Sequence, residues 1–446
     1  IPKIGKIDNG GIATMAAENS IRAKVGPIHL MSGIKTANGV AFLLIMFFVG
    51  VVAPFINFVQ PYILTEHLGI ATQVQGTVSG DLAFWSEVVM IVLAGIMGAW
   101  SDSMGRRLVF AFGLGVVAIS YVLYPLATSY QELFLYRLIY AVGMAAIGTM
   151  TIALTAEYPT DQSRGKLAAS IGILSTLGVM FVVAILSPLP DKLVTSGASS
   201  IEAGRYTFWV TSGIAFIGML ITWFGLSRLK SLRNSTLSLL QRLRIGITAA
   251  QNNPRITLSY GAAFVGRTDL VVVVIFLSLW ITHASMEQGM TSEEALIQAG
   301  IMFAVIQGAG LLFMPIMGFL VDRMNRVVAL AIATGLALVG YLWLGLLDQP
   351  MGPHAYPAAV ILGMGQASAI LTAMALVGQE VTETNTGAVS GLFTLFGAVG
   401  ILLATKIGGV LFDVWMPGAP FVITGLANGA ILLAALVIIA MGLHRD

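Results

Sequence analysis

Long apolar runs separated by short polar segments dominate the pattern of this 446-residue chain. Each run reaches about 20 residues, the length a helix needs to cross a hydrocarbon core of about 30 Å. A transmembrane barrel would instead alternate apolar and polar positions over segments of about 10 residues. The pattern therefore predicts twelve membrane-spanning helices, over approximately 38–64, 80–101, 107–128, 131–156, 165–188, 206–228, 256–283, 294–321, 327–348, 356–379, 387–412 and 419–443.

Composition supports an all-α integral membrane protein. Apolar residues make up 57% of the chain and charged residues 10%, whereas soluble domains carry about 25% charged residues. There is no cysteine, the five histidines share no ligand spacing, and no phosphate-binding loop occurs. We therefore expect no metal, no cofactor, no enzyme activity and no nucleic-acid partner.

The distribution of Lys and Arg predicts the orientation. With the N-terminus inside, most basic residues fall in cytoplasmic segments, and only Lys192 and Arg205 fall outside. The positive-inside rule therefore places both termini in the cytoplasm. We expect a multi-pass protein of a plasma or bacterial inner membrane, with cytoplasmic segments 1–37 and 444–446 and no cleavable signal peptide.

The connection 229–255 is the longest predicted cytoplasmic loop and is rich in arginine. Leu237, Leu240 and Leu243 are spaced as on one side of a helix, with arginines opposite. This spacing favours an amphipathic helix on the inner leaflet. A solvated linker between two halves is an equally good interpretation.

A short charged turn, which we call the hinge turn, occurs twice. It reads Gly98-Ala-Trp-Ser-Asp-Ser-Met-Gly-Arg-Arg107, and 220 residues later Gly318-Phe-Leu-Val-Asp-Arg-Met-Asn-Arg326. A second correspondence, at an offset of 222, relates Gly143 to Gly365 and the segments that follow them. The repeats predict two similar six-helix halves, at 38–228 and 256–443. Parallel repeats of this kind are one architecture of secondary transporters.

The hinge turn, its degenerate copy, and Arg137 followed by Gly143-Met-Ala-Ala resemble the major facilitator superfamily over about 38–443. The resemblance implies two pseudo-symmetric six-helix bundles that alternate access to a central cavity. There are departures from the family pattern. Ser103 stands where the family usually has arginine, Asn325 replaces a glycine, and the fifth span lacks a Gly-Pro pair, which counts against a drug/proton antiporter.

The resemblance also implies that Asp102 and Asp322 lie at the cytoplasmic ends of their bundles. A carboxylate there can meet the positive N-terminal end of a helix from the other half, and nearby arginines can pair with acidic residues. We expect these contacts to hold the inner gate shut. Alternatively, the residues only form turns and set topology. The predicted gating residues are Asp102, Arg106, Arg107, Glu157, Asp161, Arg164, Asp322, Arg323, Arg326 and Glu380.

Ionisable groups inside spans are informative because each costs at least about 2.5 kcal/mol at a helix centre. Glu87 and Arg137 lie inside their spans, at depths counted from the same side of the membrane, so their side chains can pair. Glu87 would then act as a proton carrier. A static pair that fixes helix packing is the alternative. We expect Asp81 to be solvated near the outer surface and Lys406 to reach the outer interface.

Arg267 and Asp269 lie near mid-depth of the seventh span. Residues two apart on a helix point about 200° from each other, so at least one should face the cavity or another helix. Arg267 facing the cavity would attract an anionic substrate, and Asp269 would be a second proton site. Both can instead be structural. Gln307 and Gln366 are neutral groups that either line a cavity or hold helices together.

Together these features predict a monomeric secondary transporter that moves a small organic solute, with a preference for negative charge, coupled to a proton gradient. One alternative is an exporter of amphipathic or lipid-like compounds. Another, from a different class, is a receptor or scaffold that keeps the fold without transporting.

Overall fold

The computed structural model describes residues 23–228, 239–381 and 385–442. Within these residues, twelve helices are long and apolar enough to cross a membrane. They are α1 (Thr36–His67), α2 (Thr72–Met104), α3 (Arg106–Leu126), α4 (Tyr130–Glu157), α5 (Arg164–Thr195), α6 (Ser200–Gly225), α7 (Pro254–Glu287), α8 (Ser292–Arg323), α9 (Arg326–Gly345), α10 (Ala355–Glu380), α11 (Thr386–Val414) and α12 (Ala419–Ala440).

The number and order of the predicted spans are confirmed. The largest boundary differences are at the start of α2 (Thr72 rather than 80), the end of α5 (Thr195 rather than 188) and the start of α6 (Ser200 rather than 206). The apolar run marks only the part in lipid, and polar residues extend the helix beyond it. At α6, Ser199 and Glu202 form a capping box that fixes the earlier start.

The helices form two bundles, α1–α6 and α7–α12, in which equivalent helices pack in equivalent ways. In the first bundle α3 packs against α4 and α6, and in the second α9 packs against α10 and α12. A Cβ added to Gly143 would lie 2.8 Å from Val117 Cγ2, and one added to Gly365 would lie 2.2 Å from Ala337 N. The two glycines therefore permit the same close helix contact in each half.

We call the side of the molecule on which Asp102 and Asp322 lie the hinge side, and the other the far side. Helices α1, α5 and α7 each contain a π-helical turn in their far-side half, at Ile63–His67, Val182–Leu186 and Val273–Leu277. Such turns are frequent at functional sites. Here the turn in α5 contacts α8 and the turn in α7 contacts α1, so both lie where the bundles meet.

The segment before α1 packs against the first bundle. Strands β1 (Lys24–Val25) and β2 (Ile28–His29) form a short antiparallel hairpin. Leu30 then forms a bridge with Pro159 in the α4–α5 turn. The described part of the predicted tail therefore packs against the α4–α5 turn.

A helix from Leu239 to Asn252 lies in the predicted connection. It packs against α7 and α11, and the Tyr260 hydroxyl donates to the carbonyl of Gly246 at 3.3 Å. The helix is thus attached to the hinge-side end of the second bundle. Leu237, part of the predicted apolar side, lies outside the described residues.

Candidate functional site

Arg137 of α4 is buried inside the first bundle. Its side chain is only 2% exposed, and its guanidinium donates to Ser86 Oγ at 3.0 Å and to Asn57 Oδ1. It also lies over the ring of Tyr140, 5.1 Å from the centroid. Neutral partners and an aromatic face hold this cation in the membrane interior.

The predicted Glu87–Arg137 pair is wrong, because in the described structure Arg137 bonds the neighbouring Ser86 instead. Consecutive residues on a helix point about 100° apart. With Ser86 turned into the first bundle, Glu87 is turned away from Arg137. The charge that interacts with Glu87 is Arg267 of α7, in the other bundle.

Glu87 and Arg267 therefore lie on different bundles, close enough for their charges to influence one another. Both side chains are half-buried, and no salt bridge joins them in the described structure. The stem of Arg267 packs on α11, where a Cβ added to Gly397 would lie 2.6 Å from Arg267 Cγ. The absence of a side chain at Gly397 leaves the room in which Arg267 extends.

The two predicted glutamines have different environments. Gln307 of α8 is half-buried. Gln366 of α10 is 3% exposed, and its Nε2 donates to the backbone carbonyl of Asp269 at 3.3 Å. Gln366 is thus part of the packing of the second bundle in this conformation.

Asp269 lies inside the second bundle rather than at the interface. It is completely buried, and Asn428 Nδ2 of α12 donates to its Oδ1 at 2.9 Å. Tyr341 of α9 donates to its backbone carbonyl at 2.9 Å. Arg267 and Asp269, two residues apart, thus point to different neighbours, Arg267 toward α11 and Asp269 toward α12.

The far side is closed by a helix cap that joins the bundles. Asp413, at the end of α11, accepts from the backbone N–H groups of Gly76 and Thr77 at 2.9 and 2.6 Å. These groups belong to the first turn of the long α-helical part of α2, Gln75–Met104, where unpaired N–H groups carry partial positive charge. The sequence predicts the same kind of contact, a carboxylate at a helix end of the other half, but predicts it for the hinge side, whereas Asp413 makes it on the far side.

Further polar contacts between the bundles lie on the same side. The Tyr62 hydroxyl donates to Glu293 Oε1 at 3.0 Å, and Lys406 pairs with Asp81 at 2.5 Å. The latter pair gives Asp81, expected to be solvated, an ionic partner, and the predicted reach of Lys406 to the outer interface stays a prediction. Other such contacts are Ser292 to Glu66, Ser278 to the carbonyl of Phe58, and Ser187 to the carbonyl of Leu296.

Close backbone packing accompanies these contacts. A Cβ added to Gly80 of α2 would lie 2.3 Å from the carbonyl oxygen of Thr405 on α11. One added to Gly409 would lie 2.5 Å from the carbonyl oxygen of Gly76. Only glycine allows α2 and α11 to approach this closely, so these positions seal the far side.

On the hinge side, the ion pairs of Arg106 lie within the first bundle. Arg106 bonds Asp102 at 2.8 Å and Glu157 at 2.9 Å, all in the first bundle. Arg107 donates to the carbonyl of Trp223 at 2.9 Å and lies over its ring. The predicted pairing of Arg106 with Glu157 is therefore present, but it does not connect the halves here.

The second bundle uses different partners. Glu380 bonds Arg255 at 3.0 Å, rather than Arg323 or Arg326 as expected. Arg326 donates to the carbonyl of Ala375 at 3.0 Å, and Arg323 lies 4.0 Å from the ring centroid of Phe319. The position equivalent to Glu157, at the offset of 222, is Gln379, so the acidic partner of the first hinge turn has no equivalent here.

Asp322 is exposed at the end of α8, and Arg164 begins α5. The side chain of Asp161 lies outside what the structure describes.

The described helices bury different fractions of their residues on the two sides of the molecule. In the α-helical part of α2, burial is concentrated in the far-side half, and beyond Ser86 only Met97 and Ser101 are buried. The hinge-side segment of α5, Arg164–Phe181, buries only Leu167 and Gly178. These hinge-side segments therefore bury few of their residues in the described part of the chain, in contrast to the far-side half of α2.

The sequence profile of the Major Facilitator Superfamily matches residues 40–405. The chain belongs to this family of membrane transporters.

Three comparisons describe its similarity to known proteins. Magnetosome protein MamH of Paramagnetospirillum magneticum is 26% identical over 379 residues, covering 83% of this chain and 85% of MamH. Magnetosome protein MamZ of the same organism is 26% identical over 399 residues, covering 87% of this chain but only 60% of MamZ. A mutant of the nucleoside transporter NupG superposes with a TM-score of 0.70 at 16% identity, covering 90% of this chain and 99% of that structure.

Sequence reasoning missed the far-side closure. Asp413 follows the last predicted residue of its span and resembles an ordinary loop residue. Its partners, Gly76 and Thr77, are more than 300 positions away and bond through their backbones. No side-chain pattern signals such a contact.

Proposed function

We propose that this chain is a secondary active transporter that moves a small anionic organic solute together with protons, by alternating access. The observation that carries the proposal is the placement of Glu87 and Arg267. They are opposite charges on different bundles that interact across the interface at mid-depth. Ionisable groups at this depth are costly and mark substrate and proton pathways in membrane proteins.

The two charges suggest how proton and solute are coupled. When Glu87 is ionised, its carboxylate competes with an anionic solute for Arg267. When Glu87 binds a proton, the positive charge of Arg267 becomes available to the solute. Proton and anion then bind together as a neutral pair, which lowers the cost of enclosing them between the bundles.

The conformational half of the cycle uses the two sets of gate contacts. We propose that the conformation described is the one in which Asp413 and its neighbours close the far side and the hinge side is open. In the opposite conformation we expect the Asp102 and Arg106 cluster to engage the second bundle, as the family resemblance implies. We propose that the hinge side is cytoplasmic and that 38–228 and 256–443 move as two bodies joined by 229–255.

The proposal is tested with purified protein in liposomes carrying an imposed pH gradient. Radiolabelled organic anions are screened for uptake, and an internal dye reports proton movement. A gradient of one pH unit should hold an about tenfold concentration ratio if one proton accompanies each solute, because 1.4 kcal/mol corresponds to tenfold. Glu87→Gln should reduce that ratio to about one while retaining part of the exchange activity.

Glu132→Gln is the matched control. This carboxylate is at the first turn of α4, where it accepts bonds from Thr128 rather than facing the other bundle. The control should accumulate solute like the unmodified protein. Undiminished accumulation in Glu87→Gln would contradict the proposed coupling site, and accumulation driven equally by a sodium gradient would contradict proton coupling.

A second candidate function is export of amphipathic or lipid-like compounds. An apolar cavity of about 160 Å³ between α7, α11 and α12 supports it; Phe264, Leu403, Ile407 and Ile423 contribute to its lining. In that case amphipathic compounds, rather than small anions, should compete for transport in the liposomes. Solute binding without flux in either direction would instead favour a receptor or scaffold.

A further inference from the structure

Asp269 of α7 and Asn428 of α12 form a hydrogen-bonded pair inside the second bundle. Both side chains are 0% exposed. Asn428 Nδ2 donates to Asp269 Oδ1 at 2.9 Å and to the backbone carbonyl of Thr424 at 3.0 Å. Because both partners of Nδ2 are acceptors, the orientation of the amide group is determined.

Two oxygen atoms of this pair have no hydrogen-bond partner. They are Asp269 Oδ2 and Asn428 Oδ1, each without accessible surface. An ionised carboxylate only accepts hydrogen bonds, and both amide hydrogens of Asn428 are already used. The pair therefore lacks one hydrogen-bond donor. A single hydrogen atom placed between Asp269 Oδ2 and Asn428 Oδ1 would give both oxygen atoms a partner.

Among the residues that the structure describes, none places a positive charge on the carboxyl group of Asp269. Burial and the bond from Asn428 are what act on its carboxyl group. From the other helices packed around it, α9 contributes the Tyr341 hydroxyl and α10 the Gln366 amide, and both donate to the backbone carbonyl of Asp269. Arg267, on the same helix, extends along Gly397 of α11. An ionised carboxylate here would be an uncompensated charge inside the membrane, which is strongly unfavourable.

We propose that Asp269 binds a proton on Oδ2 and donates it to Asn428 Oδ1, so that α7 and α12 are joined by an acid–amide pair. One proton removes the buried charge and satisfies both unpartnered oxygens. The site lies within one bundle, whereas the bundles move relative to each other at their interface. The proton on Asp269 is therefore retained through the cycle, and it is distinct from the transported proton assigned to Glu87.

The first test compares three variants by thermal unfolding in detergent. In Asp269→Asn an NH₂ group replaces the O–H donor, so the pair with Asn428 is kept and the unfolding midpoint should stay near that of the unmodified protein. Asp269→Leu and Asn428→Leu each leave one polar partner buried without its bonds, and both should lower the midpoint by several degrees. A midpoint for Asp269→Asn as low as that for Asp269→Leu would overturn the proposal.

The second test measures the proton itself through the pH dependence of unfolding. An unfolded aspartate ionises near pH 4, so unfolding above that pH releases the proton of Asp269. In the unmodified protein, release of this proton should increase the unfolding equilibrium constant about tenfold for each unit by which the pH rises. Asp269→Asn has no such proton and should lack that increase. Identical pH dependence between pH 5 and pH 7 would overturn the proposal.

Infrared spectroscopy examines the folded, unmodified protein directly. It should show a carboxylic acid C=O band at neutral pH that persists in Glu87→Gln, disappears in Asp269→Asn and shifts in Asn428→Leu. Absence of the band in the unmodified protein would overturn the proposal. So would a sodium-dependent rise in the unfolding midpoint that Asp269→Asn abolishes, since the two oxygens would then bind a metal cation. None of these three tests depends on transport, so the proposal for Glu87 can fail without affecting this one.

Discussion

At the scale of residues, the structure divides the buried charges into three environments. Arg137 is held inside the first bundle by neutral groups, and Asp269 lies inside the second. Glu87 and Arg267 lie between the bundles and interact with each other. Of these four residues, only Glu87 and Arg267 lie where a movement of one bundle against the other can change their interaction, and for that reason we propose that coupling occurs there.

The sequence identified these four residues because charges within apolar runs are rare, but it did not reveal their partners. Partner choice depends on how each helix is rotated about its axis. In α2 a difference of one position places Ser86 against Arg137 and directs Glu87 toward Arg267. With charges in several neighbouring helices, the sequence permits more than one pairing, and only the packing selects among them.

The hinge carboxylate gives a prediction at this scale. Asp102 is 60% exposed and bonds Arg106 at 2.8 Å. Asp102→Asn should weaken closure of the hinge side and increase the ratio of hinge-open to hinge-closed protein about two- to fivefold, since a carboxylate that meets a helix end of the other bundle only in the closed state contributes about 0.3–1 kcal/mol. The measurement is the rate at which a cysteine at position 378, in this cysteine-free chain, is alkylated from the hinge side.

Position 378 is suitable for this measurement because Gly378 is exposed at the end of α10 and has nothing within 4 Å of its added Cβ. Glu132→Gln is again the control and should leave the rate unchanged. Equal alkylation rates in Asp102→Asn and the control would remove the gating role of Asp102.

At the scale of elements, α2 and α11 provide the far-side closure. Glycines at 76, 80 and 409 allow their backbones to touch, and Asp413 caps the α-helical part of α2 from the other bundle. The sequence predicted both helices well because their apolar runs are long. It predicted neither the close approach nor the cap, since glycine is abundant throughout the chain and Asp413 bonds backbone atoms.

Removal of the cap should open the far side. Asp413→Asn keeps the shape of the side chain but loses its negative charge at the helix end, an interaction of about 0.3–1 kcal/mol, and Asp413→Ala loses the hydrogen bonds as well. We expect a cysteine at position 79, where Ser79 is 2% exposed, to react faster with an impermeant reagent added on the far side. The increase should be larger for Asp413→Ala.

Glu287→Gln provides the control for this experiment. Glu287 and Asp413 both line a cavity on the far side, but Glu287 forms no bond with α2 in the described structure. Its reaction rate should equal that of the unmodified background. If Asp413→Ala reacts no faster than this control, the cap does not hold the far side closed.

At the scale of the whole molecule, the duplication was evident from the sequence. The two hinge turns and the glycine pair at 143 and 365 predicted equivalent bundles, and the structure places both glycines at the equivalent helix contact. The conformation could not be predicted, because one sequence must support every state of the cycle. Gate residues such as Arg106 and Glu380 accordingly have partners within their own bundle here, while their predicted role belongs to the opposite state.

The most direct test of alternating access is a pair of spin-label distance measurements on the same protein. One pair of cysteines, at Ser103 and Gly378, spans the hinge side, and another, at Gln131 and Leu346, spans the far side; all four positions are exposed. On addition of protons and a transported anion, the hinge-side distance should shorten while the far-side distance lengthens. If neither distance changes under conditions that support flux, or if both change in the same direction, the protein does not work by alternating access.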